Sequence, residues 1–168
     1  ARRFGRIWLA LILLLPAAIL VNVTPANLRR DDSNGLMQLG VAEWNRQNKA
    51  RAIELLEQAV AIKDRNSFAH TYLGMFLHDS KRSDEAVAHL QKALLCDARN
   101  VDALESLLSV YFDLGRFGEL ERTVTDAKKL HPQSEIPYYH YGRLRLEQAQ
   151  RLQGGGDPAG ARPLFDNA

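Results

Sequence analysis

Apolar positions in this chain follow two rulers at once. The short one is helical. Ala52, Leu55, Leu56, Ala59, Val60 and Ile62 fall at the three- and four-residue steps that line one face of an α-helix. The long ruler is 34 residues. Gly40, Gly74, Leu108 and Gly142 are separated by that step, as are Leu39, Leu73, Leu107 and Tyr141. Ala52, Ala86 and Leu120 obey it too, then Leu56, Leu90 and Val124, then Ala59, Ala93 and Ala127. A fixed long period marks a stacked helical array, in which each unit buries its apolar face only against its neighbours.

The residue types at these positions suit close helix packing. Gly40 and Gly74, with Ala52, Ala59, Ala86 and Ala93, are small where two helices must approach. Leu39, Leu56, Leu73 and Leu90 are expected to fill the space between them. Asn66, Asn100 and Ser134 recur at the joints, where a side-chain oxygen can cap a helix start. Ser83, followed by Asp84 and Glu85, reads as another start with acids in its first turn. Gly115 and Gly118 read as punctuation of a turn. These signals predict helices near 34–47, 50–63, 67–79, 84–96, 101–113, 117–130 and 135–152.

The pattern resembles the tetratricopeptide repeat family. Unit one reads Leu36, Leu39-Gly40, Ala52, Leu56, Ala59, and unit two reads His70, Leu73-Gly74, Ala86, Leu90, Ala93. Unit three reads Leu104, Leu107-Leu108, Leu120, Val124, Ala127 and closes with Pro132. Leu120 stands where that family usually has a small residue, and Asp64 and Ala98 replace the closing Pro. The resemblance implies an all-α, right-handed superhelical array of antiparallel helix pairs. Its units would be 33–66, 67–100 and 101–134, with a half unit at 135–153, making one repeat domain over 33–153.

The front of the chain is different. Residues 7–21 carry no charge, and Arg2, Arg3 and Arg6 precede them. A cleaved secretory leader, a buried helix and a membrane anchor all have this layout. A stacked array offers no central core to a helix apolar on every side. No good small-residue cleavage site follows; Thr24-Pro25-Ala26 is a poor one. An uncleaved transmembrane helix over 7–24 is the expectation, with Ile7, Trp8, Leu13, Pro16 and Leu20 among its lipid-level residues and Pro16 kinking it. The basic residues ahead of the span place 1–6 in the cytoplasm and the array on the outer side, the periplasm in a bacterial inner membrane. Residues 25–32 would be a short linker and 154–168 an irregular, Gly-rich tail bearing Leu164 and Phe165.

Charge divides the chain at the same place. The whole protein has 22 Lys+Arg, 20 Asp+Glu and a net charge of +2. Residues 1–30 hold five Arg and no acid, which leaves 17 bases against 20 acids beyond them. The excess base belongs to membrane flanks, and no basic stripe with interleaved aromatics suggests nucleic acid.

Candidate chemistry is sparse. Cys96 is the single cysteine, and its 34-residue equivalents Ile62 and Leu130 are apolar, so a packed, inert thiol is expected. His70, His78, His89, His131 and His140 form no ligand spacing and read as partly exposed helix residues. No nucleophile, phosphate-loop or metal motif is present, so neither an enzyme nor a cofactor is expected. Tyr138, Tyr139 and Tyr141 open the last helix, whose face with Leu144, Leu146 and Leu152 needs a cover.

Recognition remains. The resemblance implies a groove lined by first helices. Its candidate residues are Met37, Val41, Trp44, Thr71, Met75, His78, Glu105, Ser109, Phe112, Tyr139, Arg143 and Leu146. Relatives that grip a peptide carboxylate use Lys and Asn where this chain has Met37, Val41, Thr71 and Met75, so capture of an acidic terminus is disfavoured. The expected function is a non-catalytic, membrane-anchored scaffold or accessory subunit. Its partners would be other protein subunits, integral membrane proteins among them, with lipid around the anchor. A periplasmic assembly factor that binds clients transiently, as in cytochrome maturation, is the alternative.

Overall fold

The computed structural model describes residues 32–154. The expected anchor at 7–24, the segment 1–6, most of the linker and the tail beyond 154 lie outside the described residues. Among the described residues there are seven helices and no strand: α1 Ser33–Asn45, α2 Lys49–Ile62, α3 Ser67–Asp79, α4 Ser83–Cys96, α5 Val101–Asp113, α6 Phe117–Leu130 and α7 Ile136–Gly154. Every helix falls within two residues of its expected span. Each packs only on helices one or two places away along the chain, as a linear array requires.

The first-to-second helix turns share one construction. Gln47, Lys81 and Gly115 sit at φ 68, 66 and 67, again 34 residues apart. The next amide in each turn donates back into the preceding helix: Asn48 N to Glu43 O, Arg82 N to Leu77 O and Arg116 N to Tyr111 O, each at 2.8–2.9 Å. This is the Schellman arrangement, in which a left-handed residue lets orphan carbonyls find donors. Only the third turn uses glycine. The sequence placed Gly118 in that turn as well; it lies inside α6, one residue past its start.

The second kind of joint is keyed by asparagine. Asn66 Oδ1 accepts from Ala69 N at 3.1 Å, capping α3, while its Nδ2 donates to Ser33 Oγ at 2.7 Å. Asn100 repeats both contacts, to Ala103 N at 3.0 Å and Ser67 Oγ at 2.7 Å. Each asparagine therefore starts its own helix and fixes the preceding unit's first helix beside it. The Ser134 hydroxyl makes a long 3.4 Å contact with Ile136 N, and Val101 occupies the position that would answer it. The keying ends there. Ser83 begins α4 as expected, but its hydroxyl bonds His78 Nδ1 at 2.9 Å and caps nothing.

Close packing follows the small residues. A Cβ on Gly74 would lie 2.6 Å from Leu90 Cγ and 3.1 Å from Ala86 O. On Gly40 it would lie 3.0 Å from Leu56 Cγ and 3.1 Å from Ala52 O. Leu56, Leu73 and Leu90 are fully buried at these contacts. Leu39 is not: it is 44% exposed. In the third pair Leu108 and Leu120 replace the glycine and alanine; both are fully buried, and α5 and α6 stand farther apart than α3 and α4.

Candidate partner-binding groove

Two first helices build the groove. Phe68, Thr71, Tyr72 and Met75 on α3 face Asp102, Glu105, Ser106 and Ser109 on α5 across a cleft of about 440 Å³. Spacings of three and four residues put each set on one helix face. Phe68 and Met75 are largely exposed there, at 53% and 38%. The cleft floor is polar and satisfied: Thr71 is buried, donates to Ser67 O at 2.9 Å and receives Asn100 Nδ2 at 3.1 Å. Thr71 thus serves the repeat joint and has no free hydroxyl to offer a ligand.

The structure brings together four of the candidate residues in this cleft: Thr71, Met75, Glu105 and Ser109. Phe112, Tyr139 and Arg143 gather at the next step, where the Arg143 guanidinium lies 4.0 Å from the Phe112 ring centre and 5.7 Å from that of Tyr139. Leu146 is exposed farther along α7. Met37, Val41 and Trp44 of α1 are half-buried against the core. Trp44 stacks on Phe76 with ring centres 4.0 Å apart, and the Lys49 ammonium lies 4.9 Å over it. His78 bridges α4 and α5, with Nδ1 on Ser83 and Nε2 3.1 Å from Asp113 Oδ2. Phe68, Tyr72, Asp102 and Ser106 were missed by the sequence reading. Phe68 and Asp102 were legible as the same face one turn earlier than Thr71 and Glu105.

Two of the five histidines depart from expectation: His70 and His140 are buried, while His78, His89 and His131 are partly exposed. His70 Nε2 lies 3.0 Å from Asp64 O, a pure acceptor, so this nitrogen donates. Its Nδ1 then accepts from His89 Nδ1 at 3.0 Å. Burial pushes both imidazoles below their ordinary value. Burial, helped by the Arg143 charge, pushes His140 down to about 4, and its Nδ1 has no hydrogen-bond partner. Cys96 is half-buried rather than packed away, its sulfur 3.7 Å from Asp64 O.

Beside the His pair, Lys92 Nζ bonds Asp64 at 2.6 Å and holds that carboxyl below its usual range. Thirty-four residues on, the equivalents are Leu104, Thr123, Asp126 and Ala98. There the surface opens into an apolar cleft of about 420 Å³ between α4 and α6, edged by the exposed Leu95 and Leu130. At the end of the array, Lys128 lies 3.8 Å over the Tyr141 ring, and Arg145 joins Tyr141 Oη at 2.7 Å to Glu121 at 3.1 Å. Leu144 is fully buried in the core, and of the leucines expected on the outer face of α7 it is Leu146 that is exposed.

A sequence profile of the tetratricopeptide repeat matches residues 35–65. Those residues include Gly40, Ala52 and Leu56, whose close packing is described above. The described helices have the tetratricopeptide repeat fold. Among solved structures, MamA (AMB-1) superimposes with a TM-score of 0.60 at 25% identity, covering 89% of this chain and 77% of that one. The second tetratricopeptide repeat domain of human RPAP3, solved with the HSP70 peptide SGPTIEEVD, superimposes at 0.59 with 17% identity, covering 66% of this chain and 92% of that one. In sequence, the cell division cycle protein 27 homolog A of Arabidopsis thaliana is 30% identical over 83 residues. That stretch is 49% of this chain and 12% of the plant protein, so the chain spans a small part of that relative's length. These tetratricopeptide likenesses suggest a scaffold for protein–protein contact.

Proposed function

We propose that this chain is a non-catalytic, membrane-anchored tetratricopeptide scaffold that holds a partner protein in the α3–α5 groove. The observation that carries the reading is the pairing of exposed Phe68 and Met75 with a satisfied, rigid floor at Thr71 and Asn100. Exposed apolar side chains on a fixed frame make good anchors, because little ordering entropy is lost on binding. The RPAP3 domain, which shares this fold, was solved holding a peptide. The uncharged stretch at 7–21 behind three arginines supports a tether, with the array on the periplasmic side and integral membrane subunits as partners. Among the described residues no helix is long and apolar enough to cross a membrane, so the tether rests on residues 7–24. Confinement to the bilayer would raise the effective concentration of such partners.

Site-specific photo-crosslinking in native membranes tests this. A crosslinker at Met75 or Ser109 should trap a protein partner, and one at Lys129 on α6 should not. Extraction of the chain by alkaline carbonate would overturn the anchor. Equal trapping from both faces would overturn the groove.

A further inference from the structure

Most acidic side chains in the described array meet a Lys or Arg, Asp79, Asp97 and Glu135 being exceptions outside the groove. Asp84, Glu85 and Glu119, all in first turns of helices, are met by Arg116, Arg82 and Arg116. Glu43, Glu57, Asp64, Glu121 and Asp126 also have basic partners. Asp102 and Glu105 have none among the described residues, and both are exposed on the groove wall. The cleft lining carries no Lys or Arg. Its charge is therefore uncompensated on one wall of the cleft, opposite the apolar Phe68 and Met75.

The cleft is also polarised. Register by 34 sets Phe68 beside Asp102, and Met75 beside Ser109. Both carboxylates lie near the N-terminal end of α5, and the cleft lining around Met75 and Ser109 is free of charge. Asp102 and Glu105 are one turn apart, about 4.5 Å along the helix axis. Alternate side chains of an extended strand point the same way at about 6.6 Å, a spacing two flexible basic side chains bridge easily.

We propose that the groove selects an extended protein segment with Lys or Arg at alternate positions, whose charges meet Asp102 and Glu105 and whose neighbouring apolar side chain lies on Phe68 or Met75. This rests on the groove reading above and adds the partner's chemistry to it. The sign is opposite to that of the acidic peptide SGPTIEEVD held by the RPAP3 domain.

Two labelled peptides test the sign by fluorescence anisotropy with the full chain in non-ionic detergent: SGPTIEEVD and its charge-inverted analogue SGPTIKKVK. The inverted peptide should bind, and weaken as salt rises. The acidic peptide should bind at least ten-fold more weakly. Asp102→Asn with Glu105→Gln should cost the inverted peptide about five- to ten-fold, the size of two exposed charge contacts. Both residues are exposed and unpaired, so circular dichroism should show the fold unchanged. Equal or tighter binding of the acidic peptide overturns the charge assignment while leaving a protein-binding groove in place. An inverted peptide that binds but ignores the double substitution sits elsewhere and also overturns it. If neither peptide binds a helical, intact chain, the groove reading falls as well.

Discussion

The second and third helix pairs solve the same packing problem in different ways. In α3–α4, Gly74 and Ala86 leave no side chain between the backbones, and Leu90 lies directly over the glycine. In α5–α6, Leu108 and Leu120 keep the helices apart and fill the gap themselves. The first design gains from contact and tolerates no added atom. The second gains from apolar volume and tolerates no loss. Repeat proteins add up unit energies and neighbour interfaces, so two designs of similar strength can sit side by side in one chain.

The sharpest way to break this comparison is Leu120→Ala. It should open a cavity and cost about 2–5 kcal/mol, read as a lower urea midpoint, whereas alanine already occupies the equivalent position 86 without harm. Gly74→Ala is the converse. The added methyl meets Leu90 Cγ at 2.6 Å, so an overpacking cost of about 1–3 kcal/mol should outweigh the roughly 1 kcal/mol gained in helix propensity. The same urea series should show a net loss; a stabilised Gly74→Ala would mean the pair can spread to the third pair's spacing. Asn100→Ala removes the key between the two pairs and should cost about 1 kcal/mol as a lost cap. Because Ser67 and Thr71 lose a donor too, hydrogen exchange should rise at the start of α3 as well as α5.

The smallest effect is pH-dependent. Folded His140 is held neutral, with its pKa down at about 4, while the unfolded imidazole keeps its ordinary 6.5. Between those values the unfolded chain binds the extra proton, so stability is complete above pH 6.5, falls through the window, and levels off below about 4. From pH 7 to pH 6 His140 alone should cost about 0.7 kcal/mol. His70 and His89 are shifted the same way and steepen the fall. The Leu104 and Thr123 that replace them one repeat later do not titrate, so acid should act on α3–α4 through His70 and His89 and on α7 through His140. A His140→Phe variant should show a shallower slope over this range in thermal melts.

The fold was legible because its rules are periodic. Asn66 and Asn100 announced two helix starts, and Gly40 and Gly74 announced close approaches, each at a spacing that needs no partner to interpret. The left-handed turn residues were legible only at Gly115. Gln47 and Lys81 adopt the same conformation because the turn's hydrogen bonds hold them there, and nothing in a Gln or Lys signals that. Burial of His70 and His140 was hidden for a similar reason: each depends on which neighbour closes over it. The groove was half legible. Met75 and Glu105 followed from the register, but the free charge of Asp102 and Glu105 emerged only once the cleft lining could be seen to hold no Lys or Arg. Trp44 illustrates the reverse, an aromatic ring at a groove position that is taken up by Phe76.

The asparagine key has a consequence for chain length. Residues 67–100 hold one whole key, Asn100 on Ser67, start with a helix that a preceding asparagine caps and end with an asparagine that caps the helix after it. The stretch is a cassette carrying both lock and tooth. A second copy spliced in after Asn100 would meet matching edges on either side, so the array could be lengthened in whole 34-residue steps without a foreign seam.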